Sequence, residues 1–238
     1  MKFKVTVLVL LLFGSLLTGS GYVLSHSSPI AIQWNKTYKN YDASVIQTQD
    51  GGFLLAGSNI TYGYSGKFST YFLKPLLMKI NNSGKTEWVK IYQEPSGSIY
   101  RVVQTLDSGY LSYSSGQLLK TDSKGDLEWA RTFDDLRHIN DLSITKDGSY
   151  VIVGPGSSEA WFDYSVVLKY SADGNLLWRK TFGTIYNGSK VDKIDDIRIY
   201  AILPSSNDDS YYITGGWLRS GDGYWDTDLW GKIFSLHS

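Results

Sequence analysis

A short motif with an aromatic residue at each end occurs four times along the chain, and it constrains the fold more than any other feature. It reads Trp, any residue, Lys or Arg, any residue, Tyr or Phe, and successive copies lie 41 to 54 residues apart. The four copies begin at Trp34, Trp88, Trp129 and Trp178. Repetition at intervals of about 20 to 50 residues is typical of folds that stack copies of one small unit. The sequence therefore predicts four related structural units.

Two further motifs keep a regular position relative to the tryptophans. A turn sequence of Thr, any residue, Asp, two small residues and Phe or Tyr follows the first three, and a stretched version lies at 207–211. The regular turns begin at Thr48, Thr105 and Thr145. An apolar run ending in lysine precedes three tryptophans by nine residues, and these lysines are Lys79, Lys120 and Lys169. Short β-prone runs around such turns are typical of hairpins, so each repeat is predicted to be a four-stranded up-and-down sheet.

The apolar content of the predicted strands indicates how the sheets are arranged. Runs such as 53–56 are almost continuously apolar, which is typical of strands that are buried on both faces. Sheets that stack face to face around an axis bury both faces in this way. We therefore predict an all-β fold, a β-propeller of four four-stranded blades that forms a single domain over residues 32–236.

The two ends of the repeat region complement each other. The last repeat stops before its expected tryptophan, whereas Trp34 has no strand before it with which to pair. We expect the N-terminal strand, Ile32 to Tyr38, to complete the last blade as its outermost strand, which would also cover an exposed sheet edge. The same strand could complete the last blade of a second copy. A monomer, a dimer of half rings and a shortened gene product therefore all remain open.

The first 20 residues are predicted to be a signal peptide. Lys2 and Lys4 precede an uncharged apolar run over 5–17, and small residues follow at 18–20. The alternative is an uncleaved membrane anchor, because the apolar stretch 5–24 is long enough to span a bilayer. Both interpretations place the remainder of the chain outside the cytoplasm, secreted or at the cell surface, with contact to the membrane only if the segment is uncleaved.

Composition and sequons narrow the classes of partner and chemistry. The chain carries 23 Lys and Arg against 23 Asp and Glu, so no basic excess favours nucleic acid as a partner. It has no cysteine, which excludes disulfides and thiolate chemistry, and only three histidines. Four Asn-x-Ser/Thr sequons fit a secreted glycoprotein. The candidate glycosylation sites are Asn35, Asn59, Asn81 and Asn187.

The repeated motifs also carry a resemblance to known proteins. The Trp-x-Lys-x-Tyr motif, the stretch Gln47 to Gly57 and the stretch Leu119 to Trp129 together resemble the secreted β-propeller repeat proteins of archaea and some bacteria. The likeness to quinoprotein-type propellers is more distant. The resemblance implies a propeller in which the four motif tryptophans, Trp34, Trp88, Trp129 and Trp178, are structural wedges between blades. It implies no particular activity.

In a propeller, ligands usually contact the loops between second and third strands and the connections between blades. The corresponding segments of this chain are rich in aromatic and charged residues, which suit the stacking and hydrogen bonding of sugars. The ligand-binding candidates are Tyr62, Tyr64, Trp161, Asp163, Trp217, Arg219, Tyr224, Trp225 and Asp226. The connection between the second and third repeats adds Arg137 and His138. The same aromatic residues could instead pack against the ends of the strands.

Two function classes follow from these residues. The first is a non-catalytic extracellular module that binds a glycan, a peptide or a surface protein through an aromatic-rich loop face. The alternative is a secreted carbohydrate-active enzyme, a glycosidase or lyase, with loop carboxylates such as Asp163 and Asp226 as acid and base. We assign no catalytic residue and expect no cofactor, except that Asp222, Asp226 and Asp228 could hold a calcium ion.

Overall fold

The structure is a computed structural model that describes most of the repeat region. The described residues are 4–11, 31–39, 41–65, 68–132, 135–156, 164–183, 196–205, 210–221 and 224–228. All the helices and strands that could be assigned within these ranges are β-strands, and no α-helix is among them. No helix in the described part of the chain has the length and apolarity needed to cross a membrane.

The strands form five antiparallel sheets in chain order. An N-terminal pair contains β1 (Lys4–Leu11) and β2 (Ala31–Lys39). The first sheet contains β3 (Tyr41–Gln47), β4 (Phe53–Ser65), β5 (Phe68–Ile80) and β6 (Thr86–Ile91). The second contains β7 (Ile99–Gln104), β8 (Tyr110–Ser114), β9 (Gln117–Thr121) and β10 (Leu127–Thr132). The third contains β11 (Asp141–Ile144), β12 (Tyr150–Pro155), β13 (Ser165–Tyr170) and β14 (Leu176–Phe182). The fourth contains β15 (Asp196–Pro204), β16 (Tyr211–Gly221) and β17 (Tyr224–Asp228).

The predicted up-and-down units are confirmed for the first three sheets. In each of them, four consecutive strands pair antiparallel with their neighbours in sequence. The fourth sheet shows three strands among the residues that the structure describes. The first strands of successive sheets contact each other, β3 with β7, β7 with β11 and β11 with β15. The chain is therefore an all-β repeat protein whose sheets follow one another as propeller blades do.

Two segments predicted as loops are long hairpins instead. The stretch 59–74 of the first repeat belongs to β4 and β5, which pair from Phe53 and Ile80 out to Ser65 and Phe68. Likewise, β16 and β17 pair as far as Gly221 and Tyr224. The physical reason is that these stretches are rich in Tyr, Thr, Phe and Trp, which favour the extended backbone of a strand.

The predicted position of the N-terminal strand is not found among the described residues. β2 pairs with β1 rather than with the fourth sheet, in a register that joins Val5 to Tyr38 and Leu11 to Ala31. Residues 5–9 of β1 are Val, Thr, Val, Leu and Val, which have high strand propensity, so β1 can occupy one edge of β2. The stretch 229–238, with which β2 was expected to pair, lies outside the described residues.

Apolar side chains join each sheet to the next. Leu54 and Leu77 of the first sheet pack with Ile99 and Val102 of the second. The second sheet packs on the third through Leu111, Leu118, Ile152 and Leu168. The third sheet packs on the fourth through Val151, Val153, Ile199 and Ile213. Both faces of the middle strands are therefore buried, as their continuous apolar sequences predicted.

A buried lysine amine lies at the same end of each four-stranded sheet. Lys120 is 3% exposed, and its Nζ lies 2.8 Å from Asp107 Oδ2 and 2.8 Å from Glu128 Oε2. Corresponding ion pairs join Lys79 to Asp50 at 2.8 Å and to Glu87 at 3.1 Å, and Lys169 to Asp147 at 3.4 Å. A buried ammonium group is tolerated only with such partners, because removal from water is costly for an unpaired charge. We call each group of lysine and carboxylates a lysine cluster.

The repeated Thr-x-Asp turn supplies the carboxylate of each lysine cluster. In the second sheet, the Asp107 carboxylate accepts hydrogen bonds from the Thr105 hydroxyl and from the Gly109 amide at 3.0 Å. Burial alone would raise the pKa of Asp107, but hydrogen bonds from Lys120 and Thr105 outweigh it and hold this pKa below its usual value. The turn motif therefore keeps a charged carboxylate under the buried amine.

Each lysine cluster lies beside an aromatic contact with the following sheet. The motif tryptophan of one sheet packs on the tyrosine that opens the second strand of the next. The ring centroids are 6.0 Å apart for Trp88 and Tyr110, 6.4 Å for Trp129 and Tyr150, and 5.7 Å for Trp178 and Tyr211. Aromatic pairs of this kind contribute about 0.5 to 1.5 kcal/mol beyond their buried area. Repetition of the contact joins the sheets in chain order.

Trp88 of the first sheet also requires a glycine in the second sheet. Gly125 lies in the β9–β10 turn with φ of 77°, and a Cβ added there would lie 2.7 Å from the Trp88 ring. The Tyr92 hydroxyl, from the same motif, donates to the Gly125 carbonyl at 2.8 Å. Trp88 and Tyr92 therefore both rest on the neighbouring turn.

We predict that the lysine clusters make stability depend on acid pH. The Lys79 amine is the main reason that the pKa of Asp50 is lowered to about 2 from 3.8. Because the folded-state pKa is depressed, the carboxylate stabilises the fold above about pH 4, and this contribution is lost as the pH falls through about 2. Asp50→Asn should lower the free energy of unfolding by about 1 kcal/mol at pH 6, after allowance for solvent screening, and by much less at pH 2.

Chemical denaturation at pH 6, 4, 3 and 2 measures this effect. The matched control is Asp126→Asn, which removes an exposed pair with Lys90 at 2.6 Å and should change stability little at any pH. An effect of Asp50→Asn that is the same at pH 6 and pH 2 would contradict the prediction.

Candidate functional site

The two ends of the sheets have different compositions. The hairpin turns between first and second strands and between third and fourth strands lie at one end, with the lysine clusters, and we call this the turn end. The connections between sheets and between second and third strands lie at the opposite end. We call that end the cleft end, because two adjoining cavities open there. This division agrees with the one predicted from the repeats.

The two cavities have volumes of about 200 and 470 Å³ and share Arg137 and His138. The smaller is lined by Arg137, His138, Asn140, Pro155, Tyr164, Ser165, Arg198 and Tyr200. The larger is lined by Tyr100, Arg101, Tyr113, Ser115, Gly116, Arg137, His138 and Ile139. We refer to the two together as the cleft. It is formed by the second, third and fourth sheets and the connection 135–140.

The cleft is basic and aromatic. Its lining contains three arginines, one histidine and four tyrosines, and no Asp or Glu among the residues that the structure describes. Two described carboxylates on the nearby chain have partners outside the cleft. Asp135 pairs with Arg179 at 3.1 Å, and Asp141 accepts from the Ile202 amide at 3.0 Å. The described lining of the cleft therefore combines arginine, histidine and tyrosine side chains.

A close backbone contact positions Arg137 and His138. The Arg137 amide donates to the Pro155 carbonyl at 3.0 Å, and the Asn140 amide donates to Val153 at 2.8 Å. The connection thus runs along β12, where a Cβ added at Gly154 would lie 2.1 Å from the His138 carbonyl oxygen. Only glycine allows this approach without a shift of the backbone.

Side-chain hydrogen bonds attach the flanking strands to this connection. Arg101 Nε donates to the Asn140 carbonyl at 3.1 Å. Asn140 Nδ2 donates to the Ile199 carbonyl at 2.7 Å, and the Ile199 amide donates to Ser165 Oγ at 2.9 Å. β7, the connection and β15 are therefore linked, and Arg137 lines one cavity together with Arg101 and the other together with Arg198.

Two β-bulges display tyrosines at the rim of the cleft. The register of β7 shifts between Ile99 and Arg101, and that of β15 shifts between Ile199 and Ala201. The extra residues are Tyr100 and Tyr200, which are 55% and 47% exposed. Bulges re-aim side chains and are common beside functional sites.

Two further tyrosines form the floor of the cleft. Tyr113 and Tyr164 are buried, and the Tyr100 and Tyr113 rings lie 6.4 Å apart. Burial raises the pKa of Tyr113, against hydrogen bonds from the Gly116 and Ile139 backbone, so its hydroxyl stays neutral. The floor therefore contains two flat rings, and the Tyr113 ring carries a neutral hydroxyl.

The ligand candidates predicted from sequence lie mostly on the long hairpins. Tyr62 lies in β4 directly opposite Tyr71, and the two are 59% and 64% exposed. Tyr64 also lies in β4, and Trp217 and Arg219 lie in β16. Tyr224, Trp225, Asp226 and Asp228 lie in β17, where the register places Arg219 opposite Asp226. Trp161, Asp163 and Asp222 lie outside the described residues, so the Asp163 and Asp226 pair and the calcium site stay predictions.

The described parts of the chain contain no group of three or more His, Asp or Glu that could hold a metal ion. Asp122, in the hairpin beside the lysine cluster of the second sheet, accepts from the Lys124 and Asp126 amides at 2.8 Å each and so forms the turn. Asn81 has the same role in the first sheet, where its Oδ1 accepts from the Ser83 and Lys85 amides.

The other predicted glycosylation sites lie in different surroundings. Asn35 lies in β2 and Asn59 in β4, whereas Asn187 lies outside the described residues. Glycosylation of these residues and of Asn81 stays a prediction.

Sequence reasoning found Arg137 and His138 but missed the other cleft residues. Tyr100 and Tyr200 each follow an isoleucine and each lie five residues before the residue that opens the turn, Thr105 or Ser205. Alignment of the second and fourth repeats on that turn would have revealed the shared Ile-Tyr pair. The bulges that expose these tyrosines have no comparable signal in the sequence.

Comparisons with known proteins give similarity of shape only. No protein family model matches the chain, and no curated protein sequence matches it. A crystal structure of a protein of unknown function from Bacteroides caccae is similar over 70% of this chain, with 16% identity and a TM-score of 0.44. The WD40 domain of Neurospora crassa Pan2 is similar over 66%, with 12% identity and a TM-score of 0.40. The chain spans 54% and 43% of these two chains. Because both scores are low, the fold described above rests on this chain's own strand pairing.

We predict that Gly154 is required for the cleft to form. Gly154→Ala should lower the free energy of unfolding by about 1 to 3 kcal/mol, because the added methyl would overlap the His138 carbonyl oxygen. The control is Gly116→Ala, where a Cβ would meet nothing within 4 Å and only the left-handed backbone, with φ of 81°, is strained. Urea unfolding of the two variants measures both effects. A smaller loss for Gly154→Ala than for Gly116→Ala would contradict the prediction.

Proposed function

We propose that this chain is a non-catalytic binding module outside the cell, which presents the cleft to a glycan, a peptide or a surface protein. The observation that carries the proposal is the cleft itself, where two β-bulges expose Tyr100 and Tyr200 beside Arg101, Arg137 and Arg198. Concave sites with flat rings and a few convergent polar groups are typical of ligand binding.

The positions of the perturbed carboxylates favour binding over glycoside cleavage. A glycosidase needs two carboxyl groups that face each other across a substrate site. The described aspartates with lowered pKa values, Asp50, Asp107 and Asp147, lie instead at the turn end. Each is paired with the lysine of its cluster and accepts a hydrogen bond from the threonine of its own turn, and these contacts account for the shift without a catalytic role.

An extracellular location is supported by the N-terminal sequence. Lys2 and Lys4 followed by the apolar run 5–17 fit a secretory signal. Removal of this segment would also remove β1 and so free the edge of β2 that β1 occupies. A free strand edge requires a new partner or exposure to water.

The repeats favour the last blade as the new partner of β2. Pairing of β2 with that blade would close a four-bladed ring. In three successive sheets, the motif tryptophan packs on the ring that opens the next sheet's second strand. Phe53 holds that position in the first sheet, and the motif that remains to be matched with it is the one at Trp34. β2 as the outer strand of the last blade would bring Trp34 to Phe53.

A double-mutant cycle on the secreted protein tests this closure. Trp34→Ala and Phe53→Ala should be coupled by about 0.5 to 1.5 kcal/mol in the free energy of unfolding, as expected for an aromatic pair. Trp34→Ala combined with Tyr150→Ala is the control and should be additive, because Tyr150 packs on Trp129. Additivity of the Trp34 and Phe53 changes would contradict closure by β2.

Binding through the cleft is tested on arrays of glycans and peptides. The wild-type chain should bind a subset of the array, and Tyr100→Ala/Tyr200→Ala should reduce this binding at least tenfold. The matched control is Tyr62→Ala/Tyr71→Ala, which removes two exposed tyrosines from the long hairpin and should leave binding unchanged. Loss of binding in the hairpin variant alone would move the site there. Release of new reducing ends from a bound glycan would favour the carbohydrate-active enzyme instead.

A further inference from the structure

We propose that the β4–β5 hairpin docks the protein on the surface of an anionic lipid bilayer. This contact is separate from the cleft and gives the chain a second partner. The hairpin extends past the rest of the first sheet and carries exposed aromatic rings on both of its faces.

The β4–β5 hairpin projects well beyond the end of its sheet. β3 pairs with β4 as far as Asn59, and on the other side the Gly97 amide donates to the Leu73 carbonyl of β5 at 2.9 Å. Beyond these points β4 and β5 continue to pair with each other. The stretch 60–65 of β4 extends about 20 Å, at about 3.3 Å per residue. The β8–β9 hairpin of the second sheet, by contrast, has a two-residue turn.

Aromatic rings occupy both faces of the projecting part. Tyr62 and Tyr71 are directly opposite each other in the register, so their side chains share one face, and both are exposed. Phe72 is the next residue along β5, so it lies on the other face, and it is 55% exposed. Its ring lies against Gly63, where an added Cβ would be 2.9 Å from Phe72 Cε2. Water therefore contacts apolar ring surface on both sides of the hairpin.

A lipid bilayer fits this distribution better than a folded partner does. A protein or a glycan that binds a two-stranded ribbon covers one face and leaves the other in water. A bilayer surface surrounds an inserted hairpin, so apolar rings on both faces lose contact with water. Tyrosine suits this position because its ring is apolar and its hydroxyl can stay hydrated at the membrane–water interface. The backbone polar groups at the outer edges of a ribbon limit insertion to that interface.

The charge of the hairpin favours an anionic surface. The stretch 59–74 contains Lys67 and Lys74 and no Asp or Glu. Lys74 lies near the base of the hairpin, where its amine donates to the uncharged side-chain amide of Gln93. Lysines close to a membrane are attracted to anionic headgroups, and the attraction falls off within a Debye length. The lysines and the aromatic rings of this hairpin therefore suit the same partner.

Fluorescent labelling of single cysteines tests the contact at defined positions. The chain has no cysteine, so one introduced cysteine takes the label alone. Thr61→Cys places an environment-sensitive fluorophore on the exposed hairpin, and Ser123→Cys places it on the exposed β9–β10 turn at the turn end. With vesicles of phosphatidylcholine and phosphatidylglycerol in equal parts, emission at residue 61 should shift to the blue. Lipids with a nitroxide on the acyl chain should quench it. The label at residue 123 should show neither change.

Two double variants separate this contact from the cleft. Tyr62→Ala/Tyr71→Ala should weaken binding of the secreted protein to these vesicles at least tenfold in a flotation assay. Tyr100→Ala/Tyr200→Ala is the matched control, which removes two exposed tyrosines from the cleft and should leave vesicle binding unchanged. On the glycan and peptide arrays the two variants should behave in the opposite way. Unfolding curves that match wild type exclude misfolding as the cause.

The outcomes distinguish the bilayer contact from the proposed binding function. Unchanged emission at residue 61 in the presence of vesicles overturns the bilayer contact, whatever the arrays show. Equal binding to vesicles of phosphatidylcholine alone overturns the assignment to an anionic surface. Vesicle binding that survives Tyr62→Ala/Tyr71→Ala contradicts the assignment to this hairpin. The same blue shift without vesicles, together with self-association of the protein, overturns the bilayer contact in favour of a second copy of the chain.

Discussion

The buried lysine amine at the contact between neighbouring sheets is the interaction on which the rest of the fold depends. Burial of an unpaired ammonium group would be costly. The amine therefore pairs with the Asp of the turn and, in two sheets, with a Glu on the following strand. Those partners fix the turn, and the turn places the tyrosine on which the preceding sheet's tryptophan packs. The need of the buried amine for a carboxylate partner thus fixes the turn within one sheet and the aromatic contact with the neighbouring sheet.

These repeated contacts all lie at the turn end. The sequence and backbone of the cleft end can therefore differ from one repeat to the next. There the second and fourth sheets carry bulges at Tyr100 and Tyr200, and the connection 135–140 is held by backbone contacts and Gly154. The result is a repetitive end that stabilises the fold and a variable end that gathers basic and aromatic side chains. This separation is common where a rigid scaffold carries a binding site on its loops.

The sequence predicts the repetitive end well, because its signals are local. Thr105, Asp107 and Lys120 recur at fixed spacings, and the four-stranded units follow from them. The long β4–β5 hairpin was missed, since its tyrosines fit a loop face as well as a strand. The cleft was found only in part, because it depends on tertiary contacts such as Asn140 with Ile199, which are 59 residues apart.

The most direct test of this account is a crystal structure of the protein with a glycan or peptide that it binds on the arrays. The account predicts that the ligand lies in the cleft, in contact with Tyr100 or Tyr200. A ligand bound on the long hairpin at Tyr62 and Tyr71, or at the turn end among the lysine clusters, would contradict it.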